Sequence, residues 1–152
     1  MPASIQFNSL LVPIDFSQSA AEVWRWASQL VDGEEPSLIA LHVLDQELIG
    51  TMVANGFGTL QEIEHRWRSQ AETELEQLVA DVVAGVEVTR IVCVGVPFLE
   101  IVRKANEFAV DAIVMGRTGA GQPVDQLLFG STAERVLRTS SRPVIVLPQA
   151  NG

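Results

Sequence analysis

The segment Ala112-Ile113-Val114-Met115-Gly116-Arg117-Thr118-Gly119-Ala120-Gly121, closed after Phe129 by Gly130-Ser131-Thr132-Ala133-Glu134, decides how this chain folds. Its first residues form an apolar run too short for a globular helix, which predicts a strand buried on both faces and ending at Gly116. Ser131 to Thr139 reads as a short helix. A glycine-rich stretch therefore joins a strand to a helix. Glycines allow tight turns and close backbone approach, and successive N–H groups then point into one concavity. The helix start adds unpaired donors and partial positive charge. Together these features describe a phosphate cradle, with Arg117 supplying formal charge and Ser131 and Thr132 supplying hydroxyl donors. The same residues support a plainer reading. Ser131-Thr132-Ala133-Glu134 fits a capping box, with Ser131 as N-cap and Glu134 reaching back.

The rest of the chain repeats the strand-then-helix pattern. Leu10 to Ile14 is another short apolar run, ending in Asp15, and Pro13 must sit near its end because it lacks a ladder donor. Ser17-Gln18-Ser19 offers N-cap chemistry to a helix carrying Ala20, Trp24, Ala27 and Val31 at helical spacing, stopped by Asp32-Gly33. Leu38 to Leu44 predicts a second strand. Asp45 to Gly58, with scattered glycines, reads as a loop. Leu60, Ile63, Trp67, Ala71, Leu75, Leu78 and Val82 form one stripe of a long amphipathic helix. Val86 to Val94 is rich in β-branched residues and predicts a third strand. Pro97 suits the first turn of a helix that buries Phe98, Ile101, Val102, Ala105 and Phe108. Pro143 to Leu147 is a fifth strand.

Strict alternation of strands and helices implies an α/β fold: an open parallel sheet with helices on both faces. In such sheets ligands bind beyond the carboxyl ends of the strands, where the strand order reverses. With the first strand central and the fourth beside it, Asp15 and Gly116 meet at that crevice. Asp15 there accepts hydrogen bonds from ribose hydroxyls or an adenine amine, or it simply forms a local Asx-turn.

Composition narrows the function classes. The 152 residues are 47% hydrophobic and 19% charged, which fits one folded domain over residues 1–152 with its core at about 9–148. A net charge of −9 argues against binding nucleic acid or an anionic membrane. Cys93 is the single cysteine, so no internal disulfide forms, and it reads as an inert buried thiol. With no signal-like N-terminus and no apolar run long enough for a membrane helix, the expectation is a soluble cytoplasmic protein. His42 and His65 lie in different elements without cysteine neighbours, which argues against a metal site. His42 reads as structural or as pocket wall.

Val12-Pro13-Ile14-Asp15, Ala40-Leu41-His42-Val43, Ile113-Val114-Met115-Gly116, Gly130-Ser131-Thr132-Ala133-Glu134-Arg135-Val136 and Arg142-Pro143-Val144-Ile145-Val146, in this order, resemble the universal stress protein family. The resemblance spans about Leu10 to Leu147. It implies a five-stranded parallel sheet in the order 3-2-1-4-5, a homodimer through the last strand from Pro143 to Leu147, and a stress-response role without enzymatic turnover. It further implies binding of ATP or AMP, with or without Mg²⁺. Carried over by position, Asp15 contacts ribose or adenine and Val43 faces the adenine through its backbone. Gly116, Gly119, Gly130, Ser131 and Thr132 hold ribose and phosphates, Arg117 adds charge, and Met115 and Pro13 wall the pocket. The nucleotide-binding members share Gly-x2-Gly-x9-Gly-[Ser/Thr]. Gly116, Gly119 and Gly130-Ser131 match it, but the second gap is ten residues, Ala120 to Phe129, and contains Pro123. A member that binds no nucleotide and acts as a protein-interaction dimer is the alternative.

Overall fold

The computed structural model describes residues 4–82, 84–117 and 130–148. Along the chain run β1 (Ser9–Pro13), α1 (Ala20–Leu30), β2 (Ser37–Asp45), α2 (Gln46–Ala54), α3 (Leu60–Leu78), β3 (Glu87–Gly95), α4 (Pro97–Glu107), β4 (Ala112–Gly116), α5 (Ser131–Thr139) and β5 (Val144–Leu147). The strands form a parallel sheet in the order β3-β2-β1-β4-β5, as expected. Leu10 of β1 pairs with Leu38 on one side and Ala112 on the other, so β1 is central. The chain leaves β1 toward β2 and later returns to β1's other edge, which places the switch point between β1 and β4.

Side chains alternate across a strand, and here the alternation sorts the core into two layers. Leu10, Val12 and Ile14 of β1 and its exit, with Ala112 and Val114 of β4, pack against Val23, Trp24 and Ala27 of α1 and Leu75 of α3. Leu11, Ile39, Leu41, Ile113 and Met115 face the other way, onto Ile101 and Ala105 of α4 and Ala133 and Val136 of α5. Each fully buried Leu or Ile contributes roughly 1.5–3 kcal/mol of transfer free energy. Strands buried on both faces explain the near-continuous apolar runs. Pro13 is the last residue of β1, where a missing donor is harmless. No helix among the described residues is long and apolar enough to cross a membrane.

Several local expectations are corrected. The stretch after Asp45 is not a loop but largely α2. Asp45 caps it by accepting from the Glu47 amide at 3.0 Å, and Ile49 buries itself against Leu44, Ile63 and Ala71. That packing outweighs Gly50. α1 ends at Leu30, ahead of Asp32-Gly33, and Val31 is its C-cap. Ser19 occupies the N-cap of α1 without a side-chain capping bond; its hydroxyl instead meets that of Ser17 at 3.3 Å. α3 stops at Leu78, short of Val82.

Candidate functional site at the carboxyl ends of the central strands

A cavity of about 380 Å³ opens where β1, β2 and β4 end. That volume lies in the range of roughly 300–1,000 Å³ usual for small-molecule sites. β1 contributes Pro13 and the residues after it, Ile14 and Asp15. β2 contributes Leu41, His42 and Val43, and β4 contributes Met115 and Gly116. Gly130, Ser131, Thr132 and Ala133 from the start of α5 close the opposite side, and Pro97 and Ile101 of α4 add apolar wall. Of the ten residues expected at the site, Pro13, Asp15, Val43, Met115, Gly116, Gly130, Ser131 and Thr132 are brought together around this cavity. Arg117 is not among its lining residues. Gly119 lies outside the described residues, as do Thr118, Gly121, Pro123 and the rest of the ten-residue gap.

The start of α5 differs from the capping box read in the sequence. Gly130, not Ser131, is the N-cap, with extended φ −62° and ψ 157° and no side chain to cap with. The first intrahelical bond runs from the Glu134 amide to the Gly130 carbonyl at 3.0 Å. The amides of Ser131, Thr132 and Ala133 therefore find no acceptor within the helix itself. Glu134 does not reach back, because its carboxylate accepts from Arg138 Nη2 at 2.7 Å. The Gly130 amide donates to the Arg117 carbonyl at 2.9 Å. That bond pins the two ends of the glycine-rich segment together. The Arg117 amide in turn donates to the Leu147 carbonyl at 2.8 Å, fastening the junction to β5. Arg117 Nε is buried without a hydrogen-bond partner among the described residues.

Across the cavity, the Asp15 carboxylate accepts from the Ser17 amide at 3.0 Å, so the Asx-turn reading of Asp15 is realised. The turn presents an exposed carboxylate at the cavity rim. Among the described residues, three helices whose N-termini carry no side-chain capping bond, α1, α4 and α5, all place first-turn residues on the cavity: Ala20 and Val23, Pro97, and Ser131 to Ala133. Of the residues named, those of α5 bring free amides; Pro97 has no N–H, and the Ala20 and Val23 amides donate to the Ser17 and Ser19 carbonyls, so α1 and α4 add their macrodipoles. The arrangement is chemically suited to a ligand with an apolar planar part, hydroxyls and an anionic end.

Sequence reading did not place Trp67, Ser17, Ser19, Pro97 or Ile101 at this cavity. Trp67 lies on the apolar stripe of α3, and only the packing of α3 on β2 brings it to the rim. Pro97 carried a usable signal, since a helix start directly after a parallel strand belongs at the carboxyl end of the sheet. Cys93 is half-buried rather than buried. Burial raises its thiol pKa above the ordinary value, and the nearby Glu100 carboxylate, 4.0 Å from Sγ, raises it further.

The family model described as the Universal stress protein family matches residues 6–148. Universal stress protein MJ0577 of Methanocaldococcus jannaschii is 28% identical over 163 residues, covering 97% of this chain and 99% of the relative. Its solved structure superposes with a TM-score of 0.83, covering 97% of this chain and all of that one. Two more distant structures share the fold. One is a universal stress protein in complex with cAMP, at 18% identity, TM-score 0.60, covering 96% of this chain and 100% of that chain. The other is a universal stress protein from Archaeoglobus fulgidus in complex with dAMP, at 22% identity, TM-score 0.58, covering 93% and 98%.

Proposed function

This chain belongs to the universal stress protein family, and from that premise we propose that it is a dimeric stress-response regulator that binds ATP or AMP, with or without Mg²⁺, in the cavity between β1 and β4. The observation that carries the reading is the start of α5. Its first amides end on the cavity lining without an internal cap, opposite the Asp15 carboxylate. The two ligand-bound structures of the same fold, with cAMP and dAMP, support the choice of an adenine nucleotide.

In this reading the phosphates lie on the amides of Ser131 and Thr132, with Gly116, Gly119 and Gly130 leaving room for them. Asp15 accepts from ribose or adenine. Val43 meets the base through its backbone, and Pro13 and Met115 wall it. Arg117 supplies positive charge beside Gly116 from a guanidinium with one buried nitrogen unpartnered among the described residues. Residues 1–152 act as one domain, a cytoplasmic binding module rather than an enzyme. Isothermal calorimetry with AMP and ATP, with and without Mg²⁺, tests the reading. Saturable binding is expected, with roughly 2.7 kcal/mol of stabilisation at ligand a hundred times its dissociation constant. Silence at millimolar nucleotide overturns it.

The dimer is assigned to Pro143 to Leu147. β5 is an edge strand of four half-buried apolar residues. The opposite edge, β3, carries Glu87, Thr89 and Arg90 exposed, and Arg68 Nη1 donates to its Val92 carbonyl at 2.7 Å. An uncharged edge invites pairing and a charged one discourages it. The Pro143 carbonyl accepts from Ile113 of β4 and the Leu147 carbonyl from Arg117 just after it, so parallel-ladder alternation turns the Val146 amide to the open edge. Val146→Pro is expected to give monomers by light scattering with the β4–β5 ladder kept. A Val146→Pro protein that stays dimeric overturns the assignment. The ten-residue spacing from Gly119 to Gly130 favours a second reading, a nucleotide-free interaction dimer. Nucleotide carried through purification, detected by mass spectrometry, overturns that one.

A further inference from the structure

β1 ends at Pro13, yet the next residue is still tied to β2 at both of its polar groups. The Ile14 amide donates to the Leu41 carbonyl at 2.8 Å. The Ile14 carbonyl lies 2.6 Å from His42 Nδ1. A carbonyl only accepts, so Nδ1 carries the proton and donates. The β1–β2 register stops at Pro13 opposite Leu41. A side chain thus takes over where the backbone ladder ends, and Ile14 is only 3% exposed. A buried carbonyl needs such a partner.

On the far side of Asp15, Phe16 has φ +59°, a left-handed conformation that a bulky residue rarely adopts. Such backbone persists only where its surroundings over-determine it. The Phe16 ring lies against the His42 ring, with centroids 4.6 Å apart and planes tilted by 41°. One imidazole therefore holds the residue before Asp15 by a hydrogen bond and the residue after it by ring contact. Within that grip the Asp15 carboxylate takes the Ser17 amide at 3.0 Å. Behind the ring, Trp67, Gln70, Ala71 and Glu74 of α3 border a smaller hollow of about 170 Å³. His42 is thus a wall between two cavities rather than part of a close-packed core.

We infer that His42 is a positioning residue: its bond to Ile14 and its contact with Phe16 fix the turn that presents Asp15 to the larger cavity. The consequence for affinity rests on the nucleotide reading above; the fixing of the turn does not.

Two variants of the full chain separate the terms. His42→Phe keeps a ring beside Phe16 and loses the donor. His42→Asn restores a donor near the Nδ1 position and loses the ring. The first readout needs no ligand: hydrogen exchange of the Ser17 amide by NMR, with thermal melts to establish folding. Exchange is expected to be roughly tenfold faster in His42→Phe and partly restored in His42→Asn. The second readout is a double-mutant cycle on AMP affinity. His42→Phe is expected to weaken binding about tenfold in the native background and about twofold or less when Asp15 is already Ala.

Unchanged Ser17 exchange in folded His42→Phe overturns the inference, whatever the nucleotide does. So does an equal affinity loss with and without Asp15, which would mean a general effect on the cavity. Should His42→Phe not fold, Phe16→Gly accepts the positive φ and removes the ring contact, and unchanged Ser17 exchange there also overturns it. Accelerated Ser17 exchange in folded His42→Phe, together with a native chain that binds no AMP, supports the clamp and overturns the nucleotide reading instead.

Discussion

α3 and α5 begin in opposite ways. At the start of α3 the Thr59 hydroxyl accepts from the Glu62 amide at 3.2 Å and donates to the Glu62 carboxylate at 3.1 Å. The N-cap bond of a capping box is made here, with the Glu62 carboxylate taking the Thr59 hydroxyl rather than its backbone N–H. α5 starts at Gly130, with no side chain, and its Glu134 is turned away to Arg138. The end of α3 is exposed to water, whereas the end of α5 lies on the cavity. A helix end beside solvent gains by satisfying its own donors. A helix end that is to receive an anion has to leave them for it.

The largest effect is expected from Ser131→Asp, which puts a carboxylate at the very start of α5, ahead of Glu134. Nucleotide affinity by calorimetry should fall by about tenfold or more, or roughly 1.4 kcal/mol. The free protein should melt at the same or a higher temperature, because a carboxylate at a helix N-terminus stabilises by about 0.3–1 kcal/mol. Unchanged affinity would erase the contrast between the two helices. Thr59→Ala asks the converse. It should cost about 1 kcal/mol in denaturant unfolding and leave nucleotide affinity where it was; a loss of affinity would mean that the α3 cap also serves the site.

α4 offers an intermediate case, with Pro97 in its first turn and Glu100 turned toward β3, bonded by Arg103 Nη1 at 2.9 Å and near Cys93. Because folding raises the Cys93 pKa, the folded chain keeps a proton that the unfolded chain loses. Stability should therefore be unaffected below the ordinary thiol pKa and fall as the pH rises through it. Glu100→Gln should soften that alkaline fall and speed alkylation of Cys93 at mildly alkaline pH; an unchanged alkylation profile would leave burial as the whole cause. The smallest effect is expected from Arg138→Ala, which removes an exposed i,i+4 partner of Glu134. About 0.5 kcal/mol or less should be lost. A gain in stability with a loss of affinity would mean that the released Glu134 had swung back to cap α5.

The sheet was legible in the chain because strands buried on both faces must be nearly continuous apolar runs, and Leu10 to Ile14, Ala112 to Met115 and, but for His42, Leu38 to Leu44 are. α3 was legible from one stripe sustained over five turns. α2 was not: it is nine residues long and contains a glycine, and its stability comes from burying Ile49 under α3. The span of α5, Ser131 to Thr139, was legible, but the capping-box reading placed its N-cap one residue late. Ser131 to Glu134 matches a capping pattern, but Gly130 is fastened to Arg117 across the glycine-rich segment and takes the N-cap. Eight of the ten residues expected at the site border the cavity, since motif and topology pointed to the same strand ends.

What the sequence determined by itself was the family, the alternation of strand and helix, and a parallel sheet covered by helices on both faces. Each follows from patterns repeating over a few residues, within reach of a single strand or helix turn. Only the tertiary structure decided that three helix starts without side-chain caps meet on one cavity, and that His42 grips Ile14 across 28 residues of chain. Hydrogen bonds and ring contacts act over a few ångströms of space, and the chain brings those groups together only once the sheet has formed.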